Sequence, residues 1–201
     1  SLTMSNDSTL NLQNNSATTT AINNLVIVSG DNVNVKMDWG DVLNSSSGNI
    51  AGTLKITDIN LTSTTGVDDT YAFTDLGDKV SLNEPLTLTG ITSSTNNFVT
   101  FDNATGSMTS YKKSLVRAVD KTDTGLTATY VMTADETAGG EELDGTLKVQ
   151  GDGHTINTAG IKVGSATKTG ADLTLENTNM NVAGRALDIY GGNKATVDAS
   201  G

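Results

Sequence analysis

Chemistry needs particular side chains brought together, and this chain carries few of them. His154 is the only imidazole, cysteine is absent, and the two arginines, Arg117 and Arg185, lie far apart in sequence. There is therefore no thiolate nucleophile, no disulfide framework and no cysteine metal site, and a His-rich zinc site is excluded. The acid pairs Asp68-Asp69, Asp135-Glu136 and Glu141-Glu142 are the residues to weigh for two-carboxylate glycoside hydrolysis. They also serve for elimination, with acids holding Ca²⁺ beside an Arg or Lys base. All three pairs lie in turn-like sequence, and no Asp recurs after them at a fixed spacing. They read as solvated loop charge. His154 sits between Gly151-Asp152-Gly153 and Thr155-Ile156, the setting of a corner residue. Gly151-x-Gly153 is too short for a dinucleotide fingerprint, which also needs a following helix. Asp152 lacks the repeating glycine-aspartate pattern of a Ca²⁺-binding array. The inventory predicts no catalytic, cofactor-binding or metal-binding residues, and a chain that is not an enzyme.

The rest of the composition narrows the partners. The 201 residues carry a net charge of −11, which argues against nucleic acid or an anionic membrane as partner. No apolar run is long enough for a transmembrane helix, so no direct membrane insertion is expected. The start, Ser1-Leu2-Thr3-Met4, has no basic or apolar signal region, and both ends sit inside ongoing strand-and-turn pattern, so the chain reads as a segment of a longer protein. Asn-x-Ser/Thr triplets at Asn6, Asn14, Asn44, Asn60 and Asn103 are what chance gives in so Asn- and Thr-rich a chain.

The elements that would position any site are strands. Apolar residues alternate in short runs: Val33, Val35 and Met37; Leu54 and Ile56; Leu147 and Val149; Leu173 and Leu175; Leu187 and Ile189. Period two marks strands with one buried face. Asn, Asp, Gly and Ser cluster between the runs and make tight corners. Gly52-Thr53-Leu54-Lys55-Ile56-Thr57-Asp58 and Gly145-Thr146-Leu147-Lys148-Val149-Gln150-Gly151 repeat one another, and Ala171-Asp172-Leu173-Thr174-Leu175-Glu176-Asn177 repeats both. Such returns describe stacked rungs, none of which buries its apolar face alone. Rungs of typical length would number roughly nine. Only eight aromatics occur, while Thr (33), Asn (20) and Ser (17) abound, which favours a narrow solenoid over a β-sandwich surface module. Leu54, Ile56, Leu147, Val149, Leu173 and Leu175 are expected to point inward. Two stretches break the pattern: an acidic insertion near 62–84, and residues 111–129, where Lys112, Lys113, Arg117 and Lys121 accompany a short helix or edge strand. The expected organisation is β-helical rungs over 1–110, a junction over 111–129 and a second β-helical portion over 130–201. The insertion and the loop from Asp135 to Asp144 are expected to project.

Leu147-Lys148-Val149-Gln150-Gly151-Asp152-Gly153-His154-Thr155-Ile156, followed by Gly160-Ile161-Lys162-Val163, resembles the opening of a pectin-lyase-like β-helix. The earlier run Val33-Asn34-Val35-Lys36-Met37-Asp38, then Asp41-Val42-Leu43, then Gly52-Thr53-Leu54-Lys55-Ile56, resembles autotransporter (type V secretion) passenger domains. The resemblance implies an all-β, right-handed parallel β-helix displayed on the bacterial cell surface. It implies a non-enzymatic adhesin-like segment that presents loops to a host surface, to a glycan, or to another copy on a neighbouring cell. The alternative from another class is a carbohydrate-active β-helix, a polysaccharide lyase or hydrolase, which needs a groove of converging acids.

Overall fold

Leucine, valine and isoleucine alternating with Thr, Lys and Asn can bury one face of each strand only if that face is shared with strands above and below. The computed structural model does this with stacked parallel coils, a β-solenoid of about eight turns. It describes residues 1–62, 68–72, 79–89 and 96–198. Two compact units divide the chain: one comprises 1–97 and 101–110, the other 98–100 and 111–201.

In the first unit the rungs run β1 (Leu2–Met4), β2 (Thr9–Asn11), β3 (Thr19–Ala21), then β4 (Leu25–Ile27), β5 (Asn32–Asp38), β6 (Val42–Asn44), then β7 (Gly48–Ile50) and β8 (Thr53–Asn60). Their sides stack as three parallel sheets: β1-β4-β7, β2-β5-β8 and β3-β6. The register places Val33 on Leu54 and Val35 on Ile56. Leu54 and Ile56 are fully buried, as the alternation requires. Gly48 shows how closely rungs approach. Its φ is +135, and a Cβ there would lie 2.1 Å from the carbonyl oxygen of Leu25, so only glycine fits.

The stretch expected as an acidic insertion holds two different things among its described residues. β9 (Asp69–Ala72) is followed by β10 (Val80–Thr89), which joins β8 in parallel and places Val80 on Leu54. After β11 (Asn97–Asp102), β12 (Ser107–Lys112) pairs antiparallel with β9, a departure from the parallel pattern. Thr70 and Thr109 join their hydroxyls across that pair at 3.2 Å.

The second unit begins with a helix, α1 (Leu115–Lys121). Then come β13 (Leu126–Val131), β14 (Glu136–Ala138), β15 (Glu142–Leu143), β16 (Thr146–Gln150), β17 (Thr155–Thr158), β18 (Ile161–Val163), β19 (Asp172–Glu176), β20 (Asn179–Val182), β21 (Leu187–Ile189) and β22 (Lys194–Asp198). The sides are β13-β16-β19-β22, β14-β17-β20 and β15-β18-β21. Ala128, Leu147, Leu173 and Ala195 form one inward column, and Tyr130, Val149 and Leu175 another, which register continues to the exposed Val197. The loop expected to project between Asp135 and Asp144 is instead two sides of a rung, with Ala138 and Leu143 buried. Period-two burial is hard to see in strands of two or three residues, which is why that stretch looks like loop in the sequence.

Candidate functional site

Several of the acids that the sequence offers for chemistry are occupied in hydrogen bonds within the fold. Asp135 Oδ1 accepts the Thr155 amide at 2.8 Å from the next rung, and the His154 Nδ1 lies 3.7 Å from the same oxygen. The His154 amide closes the corner on the Gly151 carbonyl at 2.9 Å. Glu136 accepts from the Tyr130 hydroxyl and from the Leu115 amide. Glu141 accepts the Gly139 amide. Asp69 Oδ2 accepts the Trp39 indole N–H at 3.2 Å. Arg117 lies over the Tyr111 ring, and Arg185 pairs with Asp188. No group of His, Asp and Glu able to hold a metal ion occurs among the described residues. The structure thus brings together His154 with Asp135, while Asp69 begins β9 and Glu142 begins β15.

Two further acids, from the runs that resemble autotransporter passengers, are buried. Asp38 and Asp41 are 1% and 0% exposed. Asp38 accepts the Asn14 and Ser16 amides and the Asn60 side-chain amide. Asp41 accepts the Thr18 amide at 2.8 Å and the Asp38 amide at 2.7 Å. Burial pushes the Asp41 carboxyl above the usual carboxylate range, the two amides oppose this, and nearby Asp38 adds to it. Removing the carboxylate leaves the buried Asp38 N–H and the part-buried Thr18 N–H unmet, so Asp41→Ala is expected to cost about 1–3 kcal/mol. The pH sign is opposite to that of most paired acids. As pH rises from 3.8 through the raised value, the unfolded chain releases a proton that the folded chain still holds, so Asp41 withdraws stability across that window. Urea unfolding followed through Trp39, the single tryptophan, checks both points. The Asp41 contribution to the pH slope should vanish in Asp41→Asn.

The outer face of β14-β17-β20 carries a trough. Register puts Thr137 on Asn157 and Asn157 on Asn181. Each is the outward residue of its strand, because Ala138 and Ile156 take the buried positions. Asn181 Nδ2 donates to Asn157 Oδ1 at 2.9 Å, across 24 residues of chain. Such amide ladders are stabilised by repetition at the strand spacing, about 4.8 Å. Two residues further along, Ala159 and Ala183 are exposed, with Gly139 beside Ala159; a Cβ at Gly139 would approach the Ala159 nitrogen to 2.9 Å. The small column beside the taller amide column leaves a trough of about 280 Å³, lined by Thr137, Asn157, Ala159, Asn181 and Ala183 together with Thr158 and Val182. None of these side chains titrates. The sequence carries a signal for it: Thr137-Ala138-Gly139-Gly140, Asn157-Thr158-Ala159-Gly160 and Asn181-Val182-Ala183-Gly184 share a polar-x-small-Gly pattern.

A second cleft of about 260 Å³ is lined by Arg185, Asp188, Ile189 and Tyr190. Its guanidinium is already held by Asp188. Compared with known proteins, the chain matches no family model, no curated protein and no solved structure.

Proposed function

We propose that this chain is a non-enzymatic segment of a bacterial cell-surface protein of the autotransporter-passenger kind. It extends outward as a solenoid and adheres to a host surface or glycan, or to a second copy, through side chains on its outer faces. Strand-to-parallel-strand returns within one sheet are right-handed in nearly all proteins, and the proposal includes a right-handed coil. The observation that carries the reading is the division of labour among polar residues. Asp135, Glu136, Glu141, Asp38 and Asp41 spend their oxygens on backbone amides or buried partners, whereas Thr137, Asn157 and Asn181 form an ordered outward ladder. A solenoid binds by adding modest contacts from successive rungs, and such a ladder supplies them.

The test is a panel of neutral glycans, acidic glycans and polygalacturonate presented to the purified chain, with and without Ca²⁺, scored for cleavage and for retention. Retention of neutral glycans without turnover is expected. Turnover lost in Asp69→Asn or Asp135→Asn would instead establish a carbohydrate-active β-helix, and neither retention nor turnover would reduce the segment to a stalk.

A further inference from the structure

Resting on that adhesive reading, we propose that the trough on β14-β17-β20 binds an unbranched, uncharged glycan with equatorial linkages, laid along the stack with one sugar per rung.

The chemistry of the lining selects this class. Asn157 and Asn181 are amides and Thr137 is a hydroxyl, so each can both donate and accept. Sugar hydroxyls have the same double character, and neither side presents a charge. With Asn157 Oδ1 occupied by Asn181 Nδ2, the Asn157 amide nitrogen and the Asn181 amide oxygen are left for a ligand among the described residues. One donates and the other accepts, and neighbouring hydroxyls of a sugar satisfy such a pair. The methyl groups of Ala159 and Ala183, both exposed, offer an apolar strip to the C–H face of a pyranose ring. The net charge of −11 repels uronate or sialylated chains.

Geometry selects the shape. Rungs repeat at about 4.8 Å, close to the advance per sugar in an extended, equatorially linked chain. Such a chain is a flat ribbon that keeps step with the ladder over the three rungs, whereas axial linkages curl it away. An extended peptide is less well served. β17 is paired on one side by β14 and on the other by β20, so the middle of the trough offers no edge for strand addition, which is left to the end strands of the sheet.

The experiment uses the 201-residue chain and cello-oligosaccharides from one to six glucoses, measured by titration calorimetry or by NMR shifts of the Asn side chains. Malto-oligosaccharides serve as the shape control and oligogalacturonides as the charge control. Affinity should rise steeply from one sugar to three and then level off. Asn157→Ala and Asn181→Ala should each weaken the trisaccharide about three- to tenfold, and Ala159→Phe, which fills the trough without touching the ladder, should abolish binding. Malto-oligosaccharides or oligogalacturonides binding as tightly as the cello series would overturn the proposal. So would an affinity with no length dependence, or binding indifferent to all three substitutions. In that last case the adhesive reading survives, because glycan is retained elsewhere on the chain. If the substitutions instead abolish self-association, measured by sedimentation, while no sugar binds, the ladder's partner is a second copy and the glycan assignment is wrong.

Discussion

Leu173→Ala is expected to destabilise the second unit by about 2–5 kcal/mol, the range for a leucine truncated in a packed core. Leu173 is fully buried and stands in an inward column between Leu147 on one rung and Ala195 on the next. Ala195 is short, so little side chain is available on that side to collapse into the space vacated. Leu175 lies in the adjacent column under Val149 and is held by its own neighbours. Because each rung of a solenoid is stabilised mainly by the rungs it touches, the damage spreads to β16 and β22 rather than staying at one strand. Urea unfolding followed by far-ultraviolet circular dichroism measures it. Leu173→Met, which conserves volume, should cost less than about 1.5 kcal/mol, and the outward neighbour Thr174→Ala should stay within about 0.5 kcal/mol. A Leu173→Ala protein as stable as the parent would place that side chain outside the core.

Leu173 also shows what was legible in the sequence and why. Leu54, Ile56, Leu147, Val149, Leu173 and Leu175 were readable as inward because each lies in a strand of five or more residues, where period two has room to declare itself. β14 and β15, of three and two residues, give no such run, and the rung sides they form pass for loop. The trough was hidden for a different reason. Thr137, Asn157 and Asn181 become neighbours only through register, and unequal corners disguise that register. Four residues, 151–154, separate β16 from β17, but only two, 177–178, separate β19 from β20. Nothing local in the sequence marks Asp38 and Asp41 as buried. Their burial follows from what they bond to on the adjacent rung, which no local pattern contains. Most of what sequence conveyed was the strand core, and most of what it withheld was set by contacts between rungs.

Glu136→Ala is expected to be comparably damaging, through polar groups rather than a cavity. Ser114 stands at the N-cap of α1, yet its hydroxyl makes no capping bond. The Leu115 amide is taken instead by Glu136 Oε2 at 2.9 Å, from β14. The same carboxylate accepts the hydroxyl of Tyr130, at 2.6 and 2.8 Å to its two oxygens. Tyr130 is fully buried and stands edge-on to Phe98, 5.7 Å between ring centres. Lys113 Nζ lies 5.5 Å from the centre of its ring, and burial holds that amine below the usual lysine range, against the pull of Glu136. Truncating Glu136 strands a buried hydroxyl and a helix-terminal N–H, at about 1–3 kcal/mol each, and removes a negative charge from the helix N-terminus where it is favoured. Alkaline pH probes the same contact from the tyrosine side. Burial first, and then the carboxylate, push the Tyr130 hydroxyl far above the ordinary value of 10.0. Above about pH 10 the unfolded tyrosine loses its proton while the folded one keeps it. The Tyr130 contribution is therefore complete below pH 10 and falls by about 1.4 kcal/mol per pH unit above it, one proton's worth. Tyr130→Phe should lack that one-proton slope, so that the stability difference between mutant and parent changes with pH above about 10, measured by urea unfolding from pH 8 to 11. Parallel slopes for the two proteins would mean that Tyr130 ionises as readily folded as unfolded, and that the Glu136 contact does not hold its proton.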